Sequence, residues 1–341
     1  MINREFGSDF HLDACNLKTS STFFDLKNTQ FSSSGRSSLY ALIKMGIEKY
    51  NWSKLYFPSY YCHDVPNFLS SLPIKIEFFS FNPYFNNTLP DSIIDKESHV
   101  LINVNYFGIR SISLPKFKHI FVIDDFTHCV HKIFESEANY CFGSLRKELP
   151  VPIGGFLYSR NKELPDEGLS IIAEKISLEK LYAMQAKNDY LEGKLKQKDI
   201  FRYHFMNAEE ALAKEEANGR IPDSSLAILK LLDVNQIFKD KKRNLSILLS
   251  LLGKTDRVSY NFEDDTSEAF GLTVVLREKD QRDSLKDYLI QRNIYPAILW
   301  PGQSDKNDID FQSRILFVHT DFRYNGDDMR FIASTLNAFL K

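Results

Sequence analysis

The chain has 341 residues and a formal net charge of −2, from 43 basic and 45 acidic side chains, so no general positive field favours nucleic acid or an anionic membrane. Hydrophobic residues make up 43% and aromatic residues 13% of the sequence, which excludes a disordered or fibrous protein. The length suits about two domains. The longest apolar runs, such as HVLINV, are far shorter than the ~20 residues that a membrane-spanning helix needs.

In chain order, the predicted elements first alternate between helix and strand. Leu39, Leu42, Ile43 and Ile47 share one face of a helix. Short β-rich runs follow, each bounded by Pro, Gly, Asn or Asp: KLYFP, KIEFFSF, HVLINVNYF, HIFVIDDF and GGFLYS. Continuous apolar runs such as LINV predict strands buried on both faces, as in a mostly parallel sheet covered by helices.

The second half of the sequence changes character. Positions 161 to 250 indicate long charged helices, and the pattern from 251 onward is strand, helix, strand, helix, in FGLTVVLR, QRDSLKDYLIQRN, ILFVHT and DDMRFIASTLNAFL. The C-terminal part therefore predicts a small α/β domain. We place the boundary near 240, with a large domain over 1–240 and a small domain over 241–341.

Neither the start of the sequence nor its cysteines indicate an oxidising compartment. MINREFGSDF lacks the basic start and apolar stretch of a secretory signal. No CxxC pair occurs among the cysteines, which are Cys15, Cys62, Cys129 and Cys141. We therefore expect a cytoplasmic protein with reduced thiols.

A metal site is the alternative interpretation of one of these cysteines. Cys129 lies between His128 and His131. Two histidines and one cysteine so close together cannot close a tetrahedral site without further ligands. We expect no metal.

Two segments carry side chains suited to holding an anion or a cation. SSSGRSSLYALI places serine hydroxyls at the start of a helix, where free N–H groups bind a phosphate-sized anion. An ordinary N-cap by Ser34 or Ser37 is the alternative. FVIDDF ends a buried strand in two acids, which either point into the ligand crevice at the carboxyl edge of an open sheet or cap a turn.

Two further segments add an amine and aromatic rings. GSLRKELPVPIGGFLYS carries Lys147 on a loop stiffened by Pro150 and Pro152, where desolvation would lower the pKa of the amine; an exposed surface lysine is the alternative. INVNYFGIRS is another strand that ends in polar and aromatic groups. A phosphate seat, a strand-end Asp, a loop Lys and crevice aromatics together are what pyridoxal 5'-phosphate (PLP) requires. The GxGxxG, GxxxxGK[ST] and GxSxG motifs are absent.

These segments resemble the DegT/StrS family of sugar aminotransferases, which are fold-type-I PLP enzymes, over nearly the full length of the chain. The matching segments follow the family's order: FGSDFHL, SGRSSLYALI, FPSYYC, NYFG, IDDFTH, SLRKELPVPIGGFL and ILFVHTDFRYNGDDM. The resemblance implies an α/β fold with a mostly parallel sheet in the large domain and a smaller α/β C-terminal domain. It also implies a homodimer that uses PLP to transfer an amino group, expected to come from glutamate, to a nucleotide-linked keto-deoxysugar, as in polysaccharide or antibiotic sugar biosynthesis.

The resemblance implies a role for each matching residue. Lys147 would be the catalytic lysine that binds PLP covalently and moves the proton. Asp125 would contact the pyridine nitrogen, and His128 the ring hydroxyl or the phosphate side. The other cofactor contacts would be Gly35, Arg36 and Ser37 at the phosphate, Tyr60 or Tyr61 stacking on the ring with Tyr61 favoured, Asn105 in place of the usual His, and Ser144 through its hydroxyl.

Some positions depart from the family. The segment whose Asn reaches the partner subunit's phosphate is not recognisable, and Arg220, Asp223 or Ser224 stands in its place. Trp300 either faces the substrate or packs in the core. Arg323 either binds a carboxylate or phosphate, or forms an ion pair with Asp321 or Asp327.

Two alternatives to the sugar aminotransferase stay open. One is a PLP enzyme with a non-sugar substrate, because the sugar-side segments match least well. The other is a cofactor-free homologue that acts as a scaffold or binding subunit. A dehydratase is disfavoured, since the resemblance implies a His at the position of Lys147 in that branch.

Overall fold

The computed structural model describes residues 3–13, 17, 23–85, 88–214, 219–253, 255–263 and 268–340. The strands are β1 Phe6–Gly7, β2 Thr29–Ser32, β3 Lys54–Pro58, β4 Lys75–Phe79, β5 His99–Val104, β6 Phe121–Asp125, β7 Tyr140–Ser144, β8 Gly155–Tyr158, β9 Val258–Tyr260, β10 Leu272–Leu276, β11 Ile294–Tyr295 and β12 Ile315–Val318. The helices are α1 Gly35–Tyr50, α2 Asp64–Leu69, α3 Ile171–Leu191, α4 Lys198–Lys214, α5 Asp223–Leu231, α6 Val234–Leu251, α7 Lys279–Ile290, α8 Lys306–Arg314 and α9 Gly326–Leu340.

A seven-stranded sheet in the order β2-β8-β7-β6-β5-β3-β4 forms the large domain. The five strands from β4 to β7 in this order run parallel, and β8 runs antiparallel to both β7 and β2. Every residue of β5 is buried, as expected for a strand covered on both faces. The mostly parallel sheet and the α/β fold class are confirmed. Because β5, β6 and β7 are parallel, their carboxyl ends meet at one edge.

Helix α1 packs its start against the ends of β7 and β8. Ser34 caps the helix by accepting a hydrogen bond from the Ser37 N–H at 3.1 Å, and Leu39, Leu42 and Ile43 are fully buried, as predicted. A Cβ on Gly155 would lie 2.2 Å from the carbonyl carbon of Ser34. Glycine therefore lets the helix start approach the strand ends closely.

The small domain contains a three-stranded antiparallel sheet, β12-β10-β9. Its order of β10, α7, β12 and α9 matches the predicted strand, helix, strand, helix. Position 240 lies inside α6, whose Phe238 packs in a large-domain hydrophobic cluster and whose Leu245 and Leu248 pack in the small-domain cluster. β1 pairs with β11, which ties the N-terminal segment to this domain.

Among the described residues, no helix combines the length and the apolar character needed to cross a membrane.

Candidate active site

A cavity of about 250 Å³ lies at the carboxyl edge of the parallel strands. Its polar wall includes Arg146, Lys147, Lys180 and His128, and its apolar wall includes Phe270 and Phe317. Both domains and the N-terminal segment contribute, because Ser8, Asp9 and Leu299 also line it. This is the position where ligands bind in open α/β sheets.

Lys147 reaches the cavity from a turn that the sheet holds firmly. After β7 the chain makes a 3-10 turn over Leu145–Lys147, and the fully buried Leu145 donates its N–H to the Gly154 carbonyl at 2.9 Å. Leu149 is also fully buried, so both flanks of the lysine are fixed. The nearby Arg146 guanidinium, followed by burial, lowers the pKa of Lys147 to about 8. An appreciable fraction of the amine is therefore neutral near pH 7.

Asp125 ends β6, the strand next to β7, but it does not face the cavity directly. Its Oδ1 accepts the Thr127 N–H at 2.8 Å, and the Tyr61 hydroxyl donates to its Oδ2. Burial raises the pKa of Asp125, and these hydrogen bonds oppose the rise. The described lining of the Lys147 cavity does not include Asp125. The charges of Lys147 and Asp125 both act on the thiol of Cys62.

The phosphate-seat residues lie beside the end of β7 in a closed arrangement. A Cβ on Gly35 would lie 3.0 Å from the Gly143 carbonyl carbon, which shows how closely the helix start meets the strand. The Ser37 hydroxyl bonds to the hydroxyls of Ser33 at 2.9 Å and Ser34 at 3.1 Å. The structure thus shows the N-cap interpretation, in which Ser34 caps α1 and Ser37 donates its N–H to the cap.

Arg36 points away from the cavity. Its guanidinium donates to the Leu212 carbonyl at 3.4 Å and lies 5.3 Å from the ring centroid of Phe68. It therefore links α1 to α4 and α2.

The aromatic residues form a packed group around Trp300. Tyr60 donates its hydroxyl to the Leu299 carbonyl and accepts the Trp300 N–H at 3.2 Å. His128 stacks on Phe270, with ring centroids 4.4 Å apart, and on Trp300, at 5.6 Å. Burial, with help from Lys147, lowers the pKa of His128 to about 3, so the ring is neutral. Trp300 is half-buried in this group, and His128 rather than Tyr61 presents a ring to the cavity.

Asn105 and Ser144 lie at neighbouring strand ends. The Asn105 N–H donates to the Asp125 carbonyl at 3.1 Å, and the Ser144 N–H donates to Thr127 Oγ1 at 3.3 Å. Asn105 Oδ1 is buried and has no hydrogen-bond partner within the described residues. A buried acceptor without a donor is costly, so this atom is suited to a ligand's donor group.

Arg323 is occupied by protein groups. It forms an ion pair with Asp321, with Nε 2.8 Å from Oδ1, and donates to the carbonyls of Asp9 at 3.0 Å and Ser8 at 3.3 Å. Its side chain is 4% exposed. Of the two interpretations of Arg323, the structure shows the ion pair with Asp321. The guanidinium holds the N-terminal segment over the cavity and does not reach into the cavity itself.

Three charged residues in the cavity region were not singled out from the sequence. Arg146 Nη1 lies 3.1 Å from Glu209 Oε1, and Lys180 forms an ion pair with the same oxygen. Burial alone would raise the pKa of Glu209, but Arg146 and Lys180 lower it to about 2. Arg146 could have been found from the sequence, because it directly precedes Lys147 in SLRK. Lys180 and Glu209 lie on α3 and α4. Charged residues on long helices usually form a solvated face, so no comparable signal singled these two out.

The remaining predicted positions have ordinary contacts. Arg220 lies 3.5 Å from Asp223, and the Ser224 hydroxyl bonds to that of Ser177 at 2.7 Å. Within the described ranges, no three His, Cys, Asp or Glu side chains are grouped to hold a metal. Cys62, Cys129 and Cys141 are free thiols, and Cys15 lies outside the described residues.

The sequence matches no known protein-family profile, and no curated protein is significantly similar to it. Solved structures match across nearly the whole chain. PseC from Helicobacter pylori, described as an aminotransferase involved in pseudoaminic acid biosynthesis, has a TM-score of 0.63 at 13% identity and covers 99% of both chains. The E. coli GDP-4-keto-6-deoxy-D-mannose-3-dehydratase with bound hydrated PLP has a TM-score of 0.58 at 13% identity, over 96% of this chain and 99% of the other.

A third match is NtdA from Bacillus subtilis with its bound PMP cofactor, which has a TM-score of 0.58 at 12% identity over 92% of this chain and 73% of that chain. At these identities the similarity establishes the fold. The predicted resemblance to DegT/StrS aminotransferases is therefore confirmed in the architecture: the chain has the fold of fold-type-I PLP enzymes.

Proposed function

We propose that this chain is a PLP-dependent aminotransferase. The observation that carries the proposal is the placement of Lys147, on a fixed turn in a cavity at the carboxyl edge of the sheet, with a pKa lowered to about 8. A lysine amine that is partly neutral near pH 7 is suited to attack a carbonyl. The chain shares its fold with one protein solved with bound PMP and another solved with bound hydrated PLP, and ligands of open α/β sheets bind at this edge.

The surrounding residues fit the cofactor. Asn105 Oδ1 is a buried acceptor without a hydrogen-bond partner among the described residues. Asp125 uses one oxygen for Thr127 and the other for Tyr61. A carboxylate has about four acceptor sites, so Asp125 keeps capacity for a cationic pyridine N–H.

When bound, PLP supplies an electron sink for the transfer of the amino group. Lys147 would hold the cofactor covalently, and its amine would take up the proton released from the α-carbon of the amino donor. Asp125 would accept from a protonated ring nitrogen, and the hydrogen bond from Tyr61 favours the ionised carboxylate that this needs. His128, neutral and stacked on Phe270, closes the cavity wall against water. Gly35, Ser37 and Ser144 are the proposed phosphate side, where Arg36 would take part through its backbone N–H only, because its guanidinium donates to the Leu212 carbonyl. Tyr60 positions the Leu299 carbonyl.

We further propose a nucleotide-linked keto-deoxysugar as amino acceptor and glutamate as donor. The support is the fold shared with PseC and with a dehydratase described as acting on a GDP-linked keto sugar. Lys147 favours transamination over dehydration. Trp300, half-buried against His128, is the proposed sugar-side residue. A non-sugar keto substrate is the remaining alternative for the acceptor.

The competing candidate is a cofactor-free binding subunit. Two sets of hydrogen bonds favour it. The Tyr61 hydroxyl donates to Asp125, and the hydroxyl of Ser37 bonds to the hydroxyls of Ser33 and Ser34. A bound cofactor would use the same carboxylate and hydroxyls. The lowered pKa of Lys147 favours the enzyme, because a scaffold has no use for a partly neutral amine beside an arginine.

We propose that the protein is a homodimer joined through α3 and α4. These helices expose apolar side chains: Ile171 (76%), Ile172 (57%), Leu178 (52%), Tyr182 (53%), Tyr203 (62%) and Met206 (68%). Their opposite faces supply Lys180, Met184 and Phe205 to the cavity. A second copy at this face would be separated from the cavity by the thickness of these two helices. Tyr203→Glu should give a monomer in light scattering, whereas Ile309→Glu on α8 should stay dimeric; a dimeric Tyr203→Glu variant contradicts the assignment.

We keep the division into domains at 1–240 and 241–341. Phe238 of α6 packs in a cluster of the first part, and Leu245 and Leu248 of the same helix pack in a cluster of the second part, so the change falls near position 240. We also propose a cytoplasmic location, which the free thiols of Cys62, Cys129 and Cys141 support.

The reaction is tested by incubating the PLP-loaded protein with glutamate and a panel of keto substrates while measuring 2-oxoglutarate. We expect stoichiometric 2-oxoglutarate from glutamate alone and turnover when a nucleotide-linked keto sugar is added. Turnover with keto acids but not with keto sugars would move the substrate to the non-sugar class. Formation of no 2-oxoglutarate at all would contradict the aminotransferase.

A further inference from the structure

Two cations share one carboxylate beside Lys147. Arg146 and Lys180 both contact Oε1 of Glu209, and both line the cavity into which Lys147 projects. A purely structural pair needs one cation for one carboxylate. The second positive charge is left for another anion, because a charge held in a partly apolar cavity is costly unless it is paired.

Lys180 is the buried member of this group. The residue is 4% exposed, and burial together with Arg146 lowers its pKa. Asp9 lies on the cavity rim and also acts on Lys180, but it is itself exposed to solvent, which screens its charge. Phe205, Phe270 and Phe317 border the same cavity, so an anion here would be largely removed from water.

Arg146 has donors to spare. A guanidinium carries five N–H donors, and Arg146 Nη1 lies 3.1 Å from Glu209 Oε1. Its side chain is 19% exposed, so it remains accessible from the cavity. Arg146 also follows Leu145 on the fixed turn, and this pre-organises its planar fork beside the Lys147 amine.

We propose that Arg146 and Lys180 form an oxyanion subsite that binds a phosphate or carboxylate of the molecule reacting at Lys147. This proposal rests on the proposed function for the identity of that molecule. The oxyanion comes from one of two sources: the phosphate of PLP, whose family contact from the partner subunit has no recognisable counterpart here, or a carboxylate of the amino donor. Glu209 keeps the two cations together before the anion arrives.

The test compares Arg146→Met and Lys180→Met with matched variants outside the cavity. Arg330→Met on α9 and Lys214→Met on α4 remove exposed cations that pair with Asp327 and Glu210. Arg146→Lys keeps the charge without the planar fork. Binding of PLP and of pyridoxal, which lacks the phosphate, is followed by visible absorbance, and binding of glutamate to the PLP-loaded protein by the spectral change it causes.

We expect Arg146→Met and Lys180→Met each to lower the affinity for the oxyanion-bearing ligand by roughly 10- to 100-fold. Arg146→Lys should recover part of this affinity, and the variants outside the cavity should not change it. A lower affinity for PLP with an unchanged affinity for pyridoxal assigns the subsite to the cofactor phosphate. An unchanged affinity for PLP with a lower affinity for glutamate assigns it to the donor carboxylate. Unchanged affinity for both ligands in both folded variants overturns the subsite.

Glu209→Gln gives a test with the opposite sign. Removing the carboxylate leaves both cations free for the ligand, so affinity for the same ligand should rise several-fold. A fall in affinity would contradict this competition between Glu209 and the ligand for the two cations.

If the unmodified protein binds no PLP, the proposed function fails while the subsite can still be measured. Inorganic phosphate should then raise the Tm of the unmodified protein more than that of Arg146→Met. Equal shifts in the two proteins would overturn the subsite independently.

Discussion

Two cavities at opposite ends of the large sheet differ in what lines them. The cavity at the amino ends of β6 and β7 is the larger, about 920 Å³, and the one at the carboxyl edge is about 250 Å³. The large cavity is bordered by Lys116, Lys118 and His119, whose side chains are exposed to solvent. The small one holds a buried lysine, a neutral stacked histidine and an amine with a lowered pKa.

The difference shows that size does not locate the chemistry. Exposed charges are screened by water and cost little to maintain, whereas buried charges persist only where the structure is built around them. The neighbouring acids Asp124 and Asp125 on β6 show the same contrast. Asp124 bonds to Asn103 at 2.8 Å and Ser136 at 2.5 Å on the side of the large cavity, and Asp125 turns towards Tyr61 and Thr127.

The largest expected effect comes from removing the amine. Lys147→Met should abolish covalent capture of PLP, because Lys180, the other lysine that lines the cavity, is held in an ion pair with Glu209. Lys118→Met, in the large cavity, should behave like the unmodified protein. Borohydride-stabilised incorporation of PLP per chain measures both. Equal incorporation in the two variants would place the reactive amine elsewhere.

The second comparison uses the two neighbouring acids. Asp125→Asn should lower the transaminase rate by about 10²–10³-fold, because the ring nitrogen loses its anionic partner. Asp124→Asn should instead lower the free energy of unfolding by about 1–3 kcal/mol, through its contacts with Asn103 and Ser136, and leave PLP affinity unchanged. Steady-state kinetics and denaturant unfolding separate the two. A large loss of rate in Asp124→Asn alone would reverse the assignment.

A third effect distinguishes the enzyme from the cofactor-free candidate by its sign. Tyr61→Phe removes a donor that favours the ionised form of Asp125, so the pKa of Asp125 should rise further and PLP affinity should fall about 3- to 10-fold. Titration with PLP measures this. A gain in affinity would instead show that the Tyr61 hydroxyl blocks the site.

The smallest effect concerns pH. His128 has a pKa of about 3 in the folded protein, below its ordinary value near 6.5, so the unfolded chain binds the proton first. The free energy of unfolding should therefore fall as pH drops from 6.5 towards 3. His128→Gln should lose about 1–2 kcal/mol less than the unmodified protein between pH 7 and pH 5.

The matched control for the pH effect is His119→Gln in the large cavity, where the ring is exposed. Urea unfolding at pH 7 and pH 5 is measured for both variants and for the unmodified protein. If His128→Gln and the unmodified protein lost the same free energy of unfolding between pH 7 and pH 5, the His128 ring would be accessible to protons in the folded protein, contrary to the account.

The sequence predicted what depends on local pattern. The continuous apolar runs in HVLINV and FVIDD predicted β5 and β6, the apolar face of α1 is buried as expected, and the order of motifs predicted the fold. These features follow from period and from turn residues, which act over a few positions.

The contacts within the site depend on distant parts of the chain and could not be derived from pattern. Tyr61 meets Asp125 across 64 positions, and Lys180 meets Glu209 across 29. Arg323 matched a family motif, yet its partners on the N-terminal segment are 314 and 315 positions away. Whether a charged side chain pairs or stays available is decided by such tertiary neighbours.

The most direct test of the central claim is a peptide map of the protein after PLP loading and borohydride reduction. We predict a yellow protein before reduction and a single phosphopyridoxyl label, one per chain, on Lys147. A colourless protein that takes up no PLP, or a label on another lysine such as Lys180, would contradict the account.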